Sequence, residues 1–195
     1  AATMALQANL PTPYRLAIYF KQRDFPSRPA LQRANWVGAD ADRVLRALAP
    51  VQEDAIVQHN FLLANSTVQG TTLRDIRLAA ARYNADALLI IDGASAVERY
   101  NNGHAAWYAT GIGAYFAQGT ESHALFMVEG TLWDVRTGAL YGTQTADGET
   151  TLIGPAPSLD DKAAVAEAKD VAMARFGREL ADTLRLLRDK QRLSN

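Results

Sequence analysis

Ala85-Asp-Ala-Leu-Leu-Ile-Ile91 is the longest apolar run in the chain, interrupted only by Asp86 and closed by Asp92. A continuous aliphatic run of this kind suits a central strand covered on both faces. Just before it, Thr72 to Tyr83 places Leu73, Ile76 and Ala80 on one helical face, and Asn84 closes the segment. Upstream, Asp54 to Leu63 reads as another strand. Residues from Val37 to Ala49 carry Val44, Leu45 and Leu48 at helical spacing, with Pro50 as the stop. Tyr14-Arg-Leu-Ala-Ile-Tyr-Phe20 is β-rich and reads as the first strand. A Pro-containing loop with Pro26 and Pro29 follows it, and a tether with Pro11 and Pro13 occupies residues 1–13. Strand, helix, strand, helix, strand is the α/β signature, with right-handed crossovers expected.

The rhythm changes after Asp92. Residues 92–150 contain no helical period but several β-rich segments, Gly93–Arg99, Trp107–Phe116, Ala124–Val135 and Ala139–Thr145. Arg136-Thr-Gly138 reads as a tight hairpin turn in which Gly138 supplies positive φ. Both faces of Leu125 to Val135 are mostly apolar, so that strand is expected inside the sheet. After the Gly154-Pro-Ala-Pro-Ser158 loop a long helix begins, with Ser158 as its N-cap and Asp160 and Asp161 favourable at its positive end. Ala168, Ala172, Phe176, Leu180, Leu184 and Leu187 step along one side, and Arg185, Arg188, Lys190 and Arg192 gather near its carboxyl end. The expected architecture is a single α/β (α+β) domain over residues 14–192. Its β-α-β-α-β core, in two or three layers, continues into an antiparallel meander closed by the long C-terminal helix.

The whole chain has 195 residues, enough for one well-buried core without metal or disulfide staples. With 48% hydrophobic and 21% charged residues it is compositionally globular. A net charge of −1 removes the electrostatic case for nucleic acid. The absence of Cys excludes thiol nucleophiles and thiolate zinc sites. No stretch approaches the roughly 18 apolar residues of a spanning helix. The chain opens Ala1-Ala-Thr-Met4 without Met at position 1, which reads as a trimmed or processed chain, so any export signal would lie upstream.

Catalytic patterns are incomplete. His59, His104 and His123 have no metal-binding spacing, and Asp40 and Asp42 read as first-turn acids of a helix. Gly93-Ala-Ser95-Ala-Val97 follows a buried strand as a nucleophile elbow would, but Val97 replaces the final Gly and strand sequence follows. Gly111-Ile-Gly113 and Gly119 lack the Lys-Ser/Thr of a phosphate loop. No cofactor or metal is expected. The dense aromatic segment is the informative surface candidate. Tyr100, Trp107, Tyr108, Tyr115 and Phe116 exceed what one buried strand face holds; core packing is the plain reading of such a cluster, and partner or oligomer contact through exposed aromatics is the functional one.

Three motifs in order carry a resemblance: Tyr83-Asn-Ala-Asp-Ala-Leu-Leu-Ile90, Trp107-Tyr-Ala-Thr-Gly-Ile-Gly-Ala-Tyr115 and Val128-Glu-Gly-Thr-Leu-Trp-Asp-Val-Arg-Thr-Gly138. From Tyr14 to Thr145 the chain resembles the rhombotarget lipoproteins, small bacterial envelope lipoproteins. More broadly it looks like a set that includes the amino-terminal domain of the Tol-Pal translocation protein, the curli-secretion lipoprotein and the lipoprotein activators of penicillin-binding proteins. The resemblance implies an exported, periplasmic, non-catalytic adaptor or assembly factor, held at the outer membrane by a lipidated Cys upstream of Ala1. Its implied partner is an envelope protein or a second copy, and the membrane is reached only through the anchor. Two alternatives stand beside it. One is a small serine hydrolase using Ser95, Asp92 and a histidine; the other is a homo-oligomeric secretion or pore component.

Overall fold

A computed structural model describes residues 10, 12–24, 31–100, 120–154 and 160–194. In chain order they form β1 (Tyr14–Phe20), β2 (Gln32–Arg33), α1 (Gly38–Glu53), β3 (Val57–Leu62), α2 (Leu73–Arg82), β4 (Ala87–Tyr100), β5 (Thr120–Asp134), β6 (Leu140–Gly154) and α3 (Asp161–Ser194). The sheet order is β3-β1-β4-β5-β6, with β2 pairing β4 beyond the end of β1. β1 runs parallel to both β3 and β4, whereas β4, β5 and β6 form an antiparallel meander.

That order places the helices. The connection through α1 steps from β1 to β3, and the connection through α2 steps back across β1 to β4. Two crossovers of one hand, stepping in opposite directions, must cover opposite faces. The side chains agree. Val44, Leu48 and Val51 of α1 share a core with Leu16, Ile18, Leu89 and Ile91, while Ile76, Ala79 and Ala80 of α2 pack with Ala17, Leu88 and Ile90. The expected apolar run is thus buried on both faces as part of a three-layer core.

α3 lies beside α1 and carries the same face across the meander. Its Ala168, Ala172, Phe176, Leu180 and Leu184 are all buried in the larger core. Two glycines let it approach. A Cβ on Gly148 would meet the α3 backbone, 2.5 Å from the Ala172 nitrogen, and one on Gly130 would lie 2.5 Å from the Phe176 ring. The helix therefore rests partly on bare strand backbone.

Local boundaries differ from the sequence expectations for clear reasons. α1 continues past Pro50 to Glu53 because the proline faces solvent while Val51, fully buried, anchors the last turn. Its i→i+4 ladder resumes with the Asp54 amide donating to the Pro50 carbonyl at 2.9 Å. Asp54 and Ala55 thus form the helix end, with Ala55 at φ 52°, and the strand starts later, at Val57. α2 starts as expected, Thr72 and Asp75 exchanging capping bonds, and Asn84 ends it at φ 53°. Gly138 turns the β5–β6 hairpin at φ 76°. Ser158 lies outside the described residues. The α3 start is capped by Asp160, whose Oδ1 accepts from the Lys162 and Ala163 amides at 2.9 and 3.3 Å.

Candidate functional site

Among the described residues, those singled out by the sequence do not converge. Tyr100 closes β4 opposite Glu121, but its side chain lies outside the described residues, as do Trp107, Tyr108, Tyr115 and Phe116. Gly111, Gly113, Gly119 and His104 fall there as well. His59 sits exposed on β3, at one edge of the sheet. His123 lies on β5, its Nδ1 2.9 Å from the Thr151 hydroxyl. Among the described residues no group of three His, Asp or Glu side chains is placed to hold a metal.

Asp92 and Ser95 are both buried, yet they belong to one uninterrupted strand. Their three-residue separation sends the side chains to opposite faces of the sheet. Ser95 shares its face with Leu89 and Ile91, towards α1 and α3, and Asp92 shares its face with Leu88 and Ile90, towards α2. A nucleophile and its acid cannot cooperate through a sheet, and no turn presents Ser95 as an elbow would. The dyad proposed for the hydrolase alternative is not assembled.

Asp92 has a different setting. Its Oδ1 accepts the Gly93 amide at 2.8 Å, and Arg23 Nε lies 2.7 Å from Oδ2, although Oδ2 itself takes no hydrogen bond. Glu129 stands directly across on β5. A cleft of about 390 Å³ opens beside them between Arg23, Leu31, Met127, Thr145 and Asp147. It marks the carboxyl end of β1 at the topological switch of the sheet, where open α/β sheets place ligands. On the opposite face the corresponding space is filled by Trp36, which contacts Phe20 and Phe126 and donates its indole N–H to the Lys21 carbonyl at 2.8 Å.

From this cleft the α2-side face of the meander spreads outward. Leu125 and Met127 lie at its centre, Met127 being 39% exposed, and Thr143, Thr145, Asp147 and Glu149 form an exposed polar border. Beyond Trp133, which packs beside α2, no helix covers this face among the described residues. Asp40 is no simple first-turn acid. Its Oδ2 accepts the Val37 amide, as a capping acid does, but it is also buried against Lys169 of α3. Sequence reasoning missed Lys169, since a lysine in an alanine-rich helix reads as solvent-facing. No helix among the described residues is long and apolar enough to cross a membrane.

No family model matches the chain, and no curated protein matches it. Solved structures share its general outline. A homolog of a neuraminyllactose-binding hemagglutinin from Helicobacter pylori is 8% identical, with 97% of each chain covered and a TM-score of 0.49. A minor lipoprotein from Acinetobacter baumannii is 8% identical over 91% of this chain and 95% of its own, at a TM-score of 0.40. The PelC dodecamer from Paraburkholderia phytofirmans is 14% identical over 92% of this chain and 93% of its own, at 0.37. Bacterial lipoproteins recur among these structural neighbours. All three scores lie below 0.5, and the functional reading rests on this chain's own residues.

Proposed function

We propose that the chain is the periplasm-facing domain of a bacterial envelope lipoprotein, a non-catalytic adaptor or assembly factor that binds another envelope protein through the open face of the β4–β5–β6 meander. The observation that carries this reading is the arrangement of that face. An apolar centre at Leu125 and Met127 is bordered by exposed threonines and carboxylates. An apolar centre with a polar rim is the anatomy of a protein–protein interface. The separation of Asp92 from Ser95 supports a binding role over a hydrolytic one, and the three sequence motifs support the envelope setting. Tyr100, Trp107, Tyr108, Tyr115 and Phe116 belong to the proposal as further contacts, since they connect β4 to β5 in the chain.

The test places a photo-crosslinking amino acid at Met127 in the native host, followed by fractionation and intact mass. The reading expects an acylated product in the membrane fraction and a discrete adduct with one envelope protein. A homotypic adduct would reassign the face to self-association. A soluble, unacylated protein without an adduct would overturn the proposal.

A further inference from the structure

The end of the molecule opposite the switch-point cleft carries a second surface of different chemistry. A groove of about 790 Å³ runs between α2, the starts of β1 and β4, and the β5–β6 hairpin. Among the described residues it is walled by Arg15, Arg74, Arg77 and Arg136 against two acids, Asp86 and Asp134. Both acids are engaged internally. Asp86 takes two side-chain hydrogen bonds from Arg15, each 3.1 Å, and Asp134 accepts from the Tyr141 hydroxyl and the Thr137 amide. Arg77 is held by main-chain carbonyls, at 3.0 Å from that of Val135 and 2.7 Å from that of Arg136, contacts that fix its position without neutralising it.

The outward face of α2 extends the same pattern. Leu78 lies four residues from both Arg74 and Arg82 and three from Ala81, and all four are exposed, Leu78 at 53%. Asp75 is turned away into the Thr72 cap. Among the described residues Arg74, Arg82 and Arg136 form no ion pair. In a chain of net charge −1 this is a local surplus of cations around an exposed leucine. An exposed apolar side chain flanked by arginines on one helix face is the composition of an interfacial contact with anionic lipid.

The chain also enters the fold here. Leu10 is buried at the groove, and the Gln191 amide, oriented to satisfy both groups, donates to the Leu10 carbonyl at 2.7 Å and accepts from its N–H at 2.9 Å. The basic carboxyl end of α3 therefore lies at the same end of the molecule. Nine residues precede Leu10 in the chain. On the lipoprotein reading, an anchor upstream would bring the chain to the bilayer from this end of the fold.

We infer that the α2 face and its arginine groove form a seat for an anionic phospholipid surface, with lipid phosphates among Arg74, Arg77, Arg82 and Arg136 and Leu78 at the headgroup boundary. The orientation argument rests on the lipoprotein reading, whereas the charge and exposure stand without it.

The unanchored chain of residues 1–195 is sedimented with vesicles of equal parts phosphatidylglycerol and phosphatidylcholine, and with phosphatidylcholine alone. Binding is expected only to the anionic vesicles, and it should weaken at high salt. Arg74→Gln with Arg136→Gln should lower partitioning roughly 25-fold, about fivefold for each charge removed. Leu78→Gln should weaken it as well, and Arg178→Gln, an exposed arginine on α3, should leave it unchanged. Thermal melting confirms that each variant folds. Equal binding to both vesicles, no binding to either, or equal losses in the Arg178 variant would overturn the seat. Binding of inorganic phosphate in the groove without vesicle binding would also overturn it, by assigning the arginines to a soluble anion. None of these results depends on acylation, so the seat can fail while the lipoprotein reading stands, and the reverse.

Discussion

Lys169 of α3 reaches Asp40 of α1 inside the core, the carboxylate 1% and the lysine 8% exposed. The ammonium also donates to the Asn35 carbonyl at 2.6 Å and lies over the Trp36 ring, 5.1 Å from its centroid. One cation thus joins both helices on that face to the loop that fills the switch point. Removing Lys169 leaves the buried Asp40 carboxylate to the part-exposed Arg43, 3.5 Å from its Oδ1, and breaking a buried pair costs up to about 3–5 kcal/mol. Lys169→Met should therefore lose up to that much in urea unfolding. Adding Asp40→Asn should recover at least about 1 kcal/mol of it, because the amide oxygen still accepts from Val37 without a buried charge. Equal stability for the single and double variants would rule out this account.

The close approach of α3 to β6 makes a paired prediction on one strand. Gly148→Ala forces its Cβ against the helix main chain, 2.5 Å from the Ala172 nitrogen, which cannot move as a side-chain tip would. Gly142, on the same face of the same strand, has its nearest neighbour, Leu187, 4.0 Å away. Gly148→Ala should destabilise by about 1–3 kcal/mol or more. Gly142→Ala should stay within about 0.5 kcal/mol of the parent. Denaturant midpoints for the two variants decide it.

Acid should unfold the protein partly through the carboxylates near the hairpin. Arg15 hydrogen bonds hold the Asp86 carboxyl below its ordinary range. Burial pushes Asp134 up, but bonds from Tyr141 and Thr137 outweigh it and leave its pKa lowered. For both groups the folded pKa lies under the unfolded value of roughly 3.9, so the unfolded chain takes up protons first. Their stabilisation is complete above that value and is lost as pH falls through the folded pKa. Arg15→Gln should make the decline in urea midpoint below about pH 4 shallower, since the unfolded–folded difference at Asp86 shrinks. An unchanged acid limb would show that Arg15 does not set it.

Serine-directed chemistry provides a functional check. Because Ser95 and Asp92 face opposite sides of β4, a fluorophosphonate probe should leave the protein unlabelled, and Ser95→Ala should change nothing in that assay. Stoichiometric labelling that disappears in Ser95→Ala would revive the hydrolase reading.

Much of the fold is legible in local sequence because its signals are local. The Ala85–Ile91 run, the Thr72–Tyr83 helical face and the Gly138 turn each declare themselves through periodicity or backbone chemistry. The features that escaped are set by distant partners. Gln32 and Arg33 form a strand only because Ser95 and Ala94 of β4 lie beside them. Pro50 stays helical because the burial of Val51 overrides it. Lys169 is drawn inward by a carboxylate 129 residues away in the chain. The candidate interface was harder still: alternation places Leu125 and Met127 on one face, but only the helix positions show which face is left open.

The dependence of the sheet on α3 also sets an order of events during synthesis. Until Phe176, Leu180 and Leu184 are available, the α3-facing side of β5 and β6 lacks its helix, however completely those strands have been made. A nascent chain therefore cannot finish its core from the amino end. Closure of the core waits for α3, the last element of the fold to be made.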